Sequence, residues 1–338
     1  GDLAAQMSAN RAGADRLLEL VNNMGLAAYQ SGLDAVNDYG ERLASTVLRG
    51  IPDGCYRFRD VMDDDGLGQQ DIAIEVAVTV TGGTVTVEFA GTAGQVSGNI
   101  NCPLSVAAAG VFYVFRCLMP EQTPACAGSF RGIRLVAPPA CLVNAQRPAA
   151  VAAGNVETSS RIVDVVMGAL AQALPEHIPA ASQGTMNNLA MGARHGTQSW
   201  DYYETMGGGT GAGHSQPGLD AIQSHMTNTL NTPIEVLEMA FPLRVARYQL
   251  RSDSGGAGKH RGGEGLLRSF EFLEPATVTL LTERRRHPPW GLHTGQPGQC
   301  GENRRNDAVL PGKVSTRFEA GESLTVATPG GGGWGAGQ

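Results

Sequence analysis

Glycine is the residue that most constrains how this chain folds. The 338 residues include 46 glycines, and many of them are clustered. The clusters lie at residues 207–209, 255–256, 262–263 and 330–333. Because glycine has no Cβ, it adopts positive φ readily and lets one backbone segment approach another closely. The clusters therefore predict many tight turns, or many places where segments of backbone pass in contact.

The composition is that of a globular protein. Hydrophobic residues make up 42% of the chain and charged residues 17%, with a net charge of −7. The length is enough for two or three domains. Basic residues form one short run, Arg284-Arg285-Arg286, so a nucleic-acid partner is not expected. Since no window approaches ~18 consecutive apolar residues, we expect no transmembrane helix.

Helical periodicity dominates the first 50 residues. Apolar residues at helical spacing between Leu17 and Met24 share one face, and Gly25 can end that helix. A second set runs from Leu33 to Val47 and predicts a second helix, which ends before the turn at residues 50–54.

The middle of the chain mixes strand and helix signals. Strict alternation on both sides of Gly82-Gly83 predicts a β-hairpin over residues 71–90. Residues 104–119 predict a buried central helix. Another helix is predicted over residues 162–173, with Thr158 or Ser159 as its cap.

The remainder reads as β-rich. Strands are predicted at residues 245–250, 267–272 and 278–281, between glycine-containing turns. The predicted fold class is therefore α+β, with N-terminal helices, a hairpin and a central helix in residues 1–184. Residues 185–338 form the predicted β-rich second region.

Three local motifs favour structural interpretations. The acidic run from Asp60 to Asp65 lacks the ligand spacing of a calcium loop, and predicts a solvated turn before the hairpin. The Gly258-Lys259 pair lacks the flanking residues of a phosphate-binding loop. Residues 328–335 contain no lysine, and predict a terminal turn packed against another segment or at an interface. Six cysteines without a C-x-x-C pair, and no leader-like segment, predict reduced thiols in the cytoplasm.

Polar side chains are densest over residues 201–238. Such density beside three glycines is typical of a cleft or an interface. The alternative is a surface loop with buried asparagines that fix irregular backbone. The polar residues are Asp201, Glu204, His214, Asp220, His225, Thr227, Asn228, Asn231, Glu235 and Glu238.

An ordered set of strings resembles the hydantoinase B/oxoprolinase family, and in particular the C-terminal portion of its B-type subunits. Each string alone is weak, whereas the ordered set is specific. The strings are GNVETSSRIVD at 154–164, ASQGTMNN at 181–188, HMTNTLNTPIE at 225–235, RSDSGGAG at 251–258, RGGEG at 261–265, PPWGL at 288–292 and TPGGGG at 328–333.

The resemblance implies one half of an ATP-dependent enzyme that opens a cyclic amide such as a hydantoin, 5-oxoproline or a related lactam. It implies an A-type partner that binds ATP and Mg²⁺ and phosphorylates the amide oxygen, hence a hetero-oligomer. Relatives that carboxylate ketones such as acetone or acetophenone leave one subunit of a carboxylase as an alternative. A non-catalytic scaffold fragment is the third alternative.

The resemblance departs from the family in one respect. Family members extend upstream into a region that resembles a divalent metal site, and its strings do not occur here. No metal ligand is therefore assigned in this chain. The start at Gly1-Asp2-Leu3, with no methionine, suggests a cut through a longer protein.

The segment from Glu204 to Glu235 supplies the candidate site. His225 is the candidate proton shuttle or carbonyl donor, because the pKa of histidine lies near neutrality. Glu204 or Glu235 would orient water. Asn228 and Asn231 would donate hydrogen bonds to an oxyanion of the bound substrate.

Overall fold

A computed structural model describes residues 1–195 and 198–337. Those residues form five α-helices and thirteen strands in three sheets, so the predicted α+β class is confirmed. The helices are α1 (Asp2–Met24), α2 (Leu26–Leu48), α3 (Leu104–Leu118), α4 (Ser159–Leu170) and α5 (Ile234–Ala240). None of the helices in the described part of the chain is long and apolar enough to cross a membrane.

The first two helices meet at the predicted break. Gly25 has φ 84°, a conformation that suits glycine, and it separates α1 from α2. Helix α2 buries Gly40, Ala44 and Leu48 at its C-terminal end, whereas α1 buries no residue. The apolar face of α1 is therefore exposed along the whole helix.

The first sheet carries the first apolar core. Its strands are β1 (Gly54–Asp64), β2 (Gln70–Thr81), β3 (Thr84–Glu88) and β4 (Ile133–Val136), in that order. The hairpin predicted around Gly82-Gly83 is confirmed as β2 and β3, and β4 adds to β3 in parallel. Helix α4 packs against β1 and β2, and α3 packs against α4. Helix α4 is buried on all sides because it lies between these layers.

Two antiparallel sheets build the second half. One is ordered β11-β10-β13-β8-β7 and the other β12-β9-β5-β6, and both contribute to a second apolar core that includes Phe270, Phe272 and Phe318. The strands are β5 (Asn188–His195), β6 (Gln198–Glu204), β7 (Leu243–Arg251), β8 (Gly265–Phe272), β9 (Ala276–Leu281), β10 (Glu302–Arg305), β11 (Ala308–Leu310), β12 (Lys313–Phe318) and β13 (Ser323–Ala327).

Five glycine-containing segments pack together without regular strands. This glycine bundle comprises residues 180–184, 207–213, 254–265, 289–299 and 328–335. The C-terminal segment is central: Gly331 donates to Gly263 O at 2.9 Å and accepts from Gly256 N at 2.8 Å. Its neighbour Gly332 donates to Ala181 O and accepts from Ala212 N. Residues 328–335 therefore pass close to other backbone, as predicted, but as the middle of a bundle and not as a turn.

Two sequence predictions are wrong. The acidic run is not a solvated turn, because Asp63 and Asp65 are only 1% and 4% exposed. Much of that run belongs to β1, which the sequence analysis missed. Thr158 does not cap α4, since a π-helical turn (Gly154–Thr158) leads directly into the helix and the Thr158 hydroxyl contacts Ile100 O. The division at residues 184 and 185 stays a prediction.

Substitution of Gly331 by alanine tests the glycine bundle. A Cβ at Gly331 would lie 1.9 Å from Thr210 O, and backbone on several sides prevents relaxation. We expect Gly331→Ala to lower the free energy of unfolding by about 3 kcal/mol or more in urea denaturation. Gly213→Ala is the matched control, because its Cβ would meet Gln216 Cγ at 4.0 Å. Equal effects of the two substitutions would contradict the bundle.

Candidate functional site

Ionisable side chains are buried together between the first sheet and the strands β9 and β12. Such side chains are seldom buried unless they are paired. They come from β1, the π-helical turn, α4, the segment after β9, and β12. This set, the buried charge cluster, consists of Asp60, Asp63, Glu157, Arg161, Asp164, Glu283, Arg284 and Lys313.

Arg284 is the centre of the cluster. Its Nη2 lies 2.8 Å from Asp60 Oδ2 and 2.5 Å from Asp164 Oδ2. Arg161, also fully buried, lies 3.2 Å from the same Asp60 oxygen. Burial alone would raise the pKa of Asp60, but Arg284 and Arg161 lower it to about 2. Asp60 is therefore ionised at neutral pH, and it joins β1 to α4 and to the segment after β9.

Glu283 extends the cluster to β12. Its Oε1 lies 2.5 Å from Lys313 Nζ, and its Oε2 accepts from Asp63 N at 2.8 Å. Arg161 Nη2 lies 3.5 Å from Glu283 Oε2. Burial raises the pKa of Glu283, while Lys313 and Arg161 act against that shift.

Glu157 is the acid of the cluster that titrates closest to neutrality. It lies in the π-helical turn, and its Oε1 accepts from Asn188 Nδ2 at 2.7 Å and Met186 N at 3.0 Å. Its Oε2 is buried without a hydrogen-bond partner among the described residues. Burial and the neighbouring Glu283 carboxylate raise the pKa of Glu157 from 4.5 to about 7.

Two of the predicted site residues, Glu204 and Asn231, come together in the second half. Glu204 ends β6 and is buried, with hydrogen bonds from Tyr202 Oη and Asn231 Nδ2. Arg268 Nη1 lies 2.9 Å from Glu204 Oε1, and its guanidinium stacks 4.3 Å from the Tyr248 ring. Burial raises the pKa of Glu204, and Arg268 opposes that shift. Glu204 is thus held by three donors in a dry environment.

His225 lies in different surroundings. Its φ is 56°, uncommon for a non-glycine residue, and the ring packs edge-on against Tyr113 of α3. Its Nδ1 lies 3.4 Å from Tyr113 Oη. Burial lowers the pKa of His225 below its usual 6.5, and the Asp164 carboxylate partly opposes this shift. The imidazole is therefore neutral at pH 7, and it can donate or accept a hydrogen bond but carries no charge.

The other two predicted residues lie at the surface. Asn228 is exposed in the loop before α5, and Glu235 is exposed in the first turn of α5. The structure therefore joins Glu204 to Asn231, places His225 beside α3 near Asp164, and leaves Asn228 and Glu235 open to solvent. The roles assigned to these five residues stay predictions.

Sequence analysis missed the buried charge cluster. Its members are spread from residue 60 to residue 313, and their exposure cannot be read from spacing. One signal was present: Glu157, Arg161 and Asp164 belong to the string at 154–164 that carries the resemblance. Within residues 1–195 and 198–337, no group of three histidine, cysteine, aspartate or glutamate side chains could hold a metal ion.

Comparisons with known proteins place the chain in a family. The model of the Hydantoinase B/oxoprolinase family matches residues 1–337. The chain is a member of the hydantoinase B/oxoprolinase family.

Named relatives match almost the whole chain but are longer than it. The chain is 37% identical to 5-oxoprolinase 1 of Arabidopsis thaliana, over 99% of this chain and 27% of that protein. It is 33% identical to a protein of Pseudomonas sp. strain NS671 that is named as the B-type subunit of a D-/L-hydantoinase, over 99% and 59%. The chain thus spans about three fifths of the bacterial protein and about a quarter of the plant protein.

Two solved structures share the fold. An ATP-dependent caprolactamase from Pseudomonas jessenii superposes with a TM-score of 0.88 at 26% identity, over 99% of this chain and 61% of that one. A nucleotide-free acetone carboxylase superposes with a TM-score of 0.79 at 18% identity, over 94% and 50%. The second likeness shows the fold alone.

Glu157 gives the cluster a pH dependence that can be measured. Folded Glu157 keeps its proton up to about pH 7, whereas the unfolded side chain ionises near 4.5, so the native state binds more protons between these values. The stabilisation is therefore complete below about pH 4.5 and lost as pH rises through about 7, with a loss of about 3 kcal/mol. Glu157→Gln should lack this loss, and should gain stability relative to the unchanged protein between pH ~5 and pH ~8.

Urea denaturation at both pH values measures this difference. Glu235→Gln removes the same charge from an exposed position, and controls for the change in net charge. A stability difference between Glu157→Gln and the unchanged protein that is the same at both pH values would show that Glu157 is ionised throughout.

Proposed function

We propose that this chain is the C-terminal portion of a B-type subunit of an ATP-dependent amidohydrolase that opens a cyclic amide. One observation carries the proposal: the chain superposes over 99% of its length on a caprolactamase described as ATP-dependent. The relatives named 5-oxoprolinase and D-/L-hydantoinase support it, because these names also refer to cyclic amides. The proposed substrate is a hydantoin, 5-oxoproline or a related lactam.

The chemistry explains why a second component is proposed. An amide carbon is a poor electrophile, and transfer of a phosphoryl group to its oxygen creates a good leaving group. We place ATP and Mg²⁺ on an A-type partner that supplies this step. The activated amide must then be protected from bulk water until the intended water attacks it.

The residues of this chain fit such a reaction in specific ways. Neutral His225 can accept a proton from water or donate a hydrogen bond to a carbonyl oxygen. Glu204, with its pKa raised by burial, holds the Asn231 amide in place through a direct hydrogen bond. For Glu204 itself to orient water, one of its three present donors would have to move. Exposed Asn228 can meet a substrate without rearrangement.

Coupled ATP hydrolysis and ring opening test the proposed reaction. The sample is the longest natural polypeptide that contains residues 1–337, purified together with the ATP-binding protein that it binds. We expect one ring opened for each ATP hydrolysed with hydantoin, 5-oxoproline or caprolactam. ATP hydrolysis that depends on bicarbonate and a ketone would instead identify a carboxylase. ATP hydrolysis with none of these substrates would contradict the amidohydrolase.

Replacement of His225 tests its role within that complex. We expect His225→Ala to lower kcat by about 10²–10⁴, the usual contribution of a general acid–base group. Because the pKa of His225 is lowered, activity of the unchanged complex should fall only as the pH drops below 6.5, where the imidazole gains a proton. His177→Ala, at an exposed position, is the control. Full turnover by a folded His225→Ala complex would remove the assignment and favour a scaffold role for this segment.

A further inference from the structure

A cavity of about 430 Å³ lies outside the predicted site, at the ends of β7, β10 and β11. Three arginines line it: Arg251 at the end of β7, and Arg285 and Arg286 in the segment after β9. Val309, Leu310 and Pro311 form an apolar wall on another side. This volume falls within the usual range of small-molecule sites, about 300–1,000 Å³.

Arg285 is held in place by neutral acceptors. Its Nη1 donates to Asn187 Oδ1 at 2.7 Å and Glu283 O at 2.8 Å, and its Nη2 donates to Asn303 Oδ1 at 2.8 Å. A guanidinium has five N–H groups, so these bonds leave others unused, and Nε has no acceptor among the described residues. Burial lowers the pKa of Arg285 to about 10, and the side chain remains charged at neutral pH.

Arg251 is held in the same manner. Its Nη1 donates to Cys300 O at 2.6 Å and Thr328 O at 3.0 Å, and its Nη2 donates to Gln299 Oε1 at 3.2 Å. Burial lowers the pKa of this guanidinium as well. Arg251 and Arg285 also repel each other, which lowers the pKa of Arg285 further.

These two arginines differ from the arginines of the buried charge cluster. Arg161 and Arg284 each lie within 4.0 Å of a carboxylate oxygen. In the part of the chain that the structure describes, neither Arg251 nor Arg285 has a carboxylate oxygen that close. Two desolvated guanidiniums are thus fixed by amides and carbonyls, which orient them without neutralising their charge.

The acidic groups near the cavity are engaged elsewhere. Asp64 accepts from Gly66 N at 2.7 Å and lies 3.7 Å from Lys313 Nζ, and Glu302 pairs with Arg304. Asp63, Glu157 and Glu283 attract Arg285 at longer range, as members of the buried charge cluster. Arg286 donates to Gln70 Oε1 at 2.9 Å and approaches Asp71 at 3.5 Å. The wall formed by Arg251 and Arg285 therefore keeps an excess of positive charge.

We propose that this cavity binds a small organic oxyanion, a carboxylate or a phosphate ester, on Arg251 and Arg285. Guanidinium groups match the planar, bidentate geometry of carboxylate and phosphate oxygens. The rest of the ligand packs against Val309, Leu310 and Pro311. The proposal concerns binding alone. It holds or fails without ATP, without a partner and without the proposed amide hydrolysis.

Calorimetric titration tests the site in the longest natural polypeptide that contains this chain, with no nucleotide added. The probes are inorganic phosphate and succinate, with neutral succinamide as the control. We expect at least one anion to bind, with an affinity that falls as NaCl is raised, and no binding of succinamide. Binding of phosphate alone identifies a phosphate site, and binding of succinate alone identifies a carboxylate site. Absence of binding by both anions would overturn the proposal.

A charge placed at the mouth of the cavity locates the binding. Val309 lines the cavity and is 62% exposed, so its substitution should leave the fold intact. Val309→Glu adds a carboxylate that competes with the ligand for the arginines, and should weaken binding by about tenfold. Val309→Gln has the same size without the charge, and should change the affinity by less than about twofold. Equal effects of the two variants would place the anion elsewhere and refute the site.

Discussion

The contact between Arg284 and its two aspartates is the constraint on which the rest of the structure depends. The guanidinium is fully buried, and Asp60 from β1 and Asp164 from α4 neutralise it. Removal of one partner from a buried ion pair typically costs about 3–5 kcal/mol, because the other charge is left without water or a counterion. The first sheet, α4 and the segment after β9 therefore hold one arrangement, and Glu283 extends that arrangement to β12.

The glycine bundle is tied to the same point. Gly184 has φ 62°, and a Cβ there would lie 2.8 Å from Asp164 Oδ2 and 2.9 Å from Arg284 Nε. The carbonyl of Arg284 also accepts from Gly301 N at 2.9 Å, beside the arginine-lined cavity. Packing of backbone against backbone and pairing of buried charges thus meet at one place. Neither leaves room for an added methyl group or an unpaired ion.

The functional residues are distributed around this rigid centre. His225 lies on the side of α3 and is affected by Asp164, whereas Glu204 and Asn231 lie on the second core beside Arg268. Membership of the hydantoinase B/oxoprolinase family accounts for the ordered strings, and several of them form the cluster and the bundle. The relatives have further chain that this sequence does not match, and the exposed apolar face of α1 is available for contact with other protein.

Periodicity and turn chemistry are local properties, so the sequence by itself determined α1, α2, the hairpin at Gly82-Gly83, the central helix and the α+β class. The glycine clusters likewise indicated close backbone approach before any contact was known. Tertiary structure decided the rest: that Asp63 is buried and not solvated, that Glu157 titrates near neutrality, and that Arg251 and Arg285 share one cavity. These features depend on residues far apart in the chain, because burial and the distances between charges are set only when separate segments pack together.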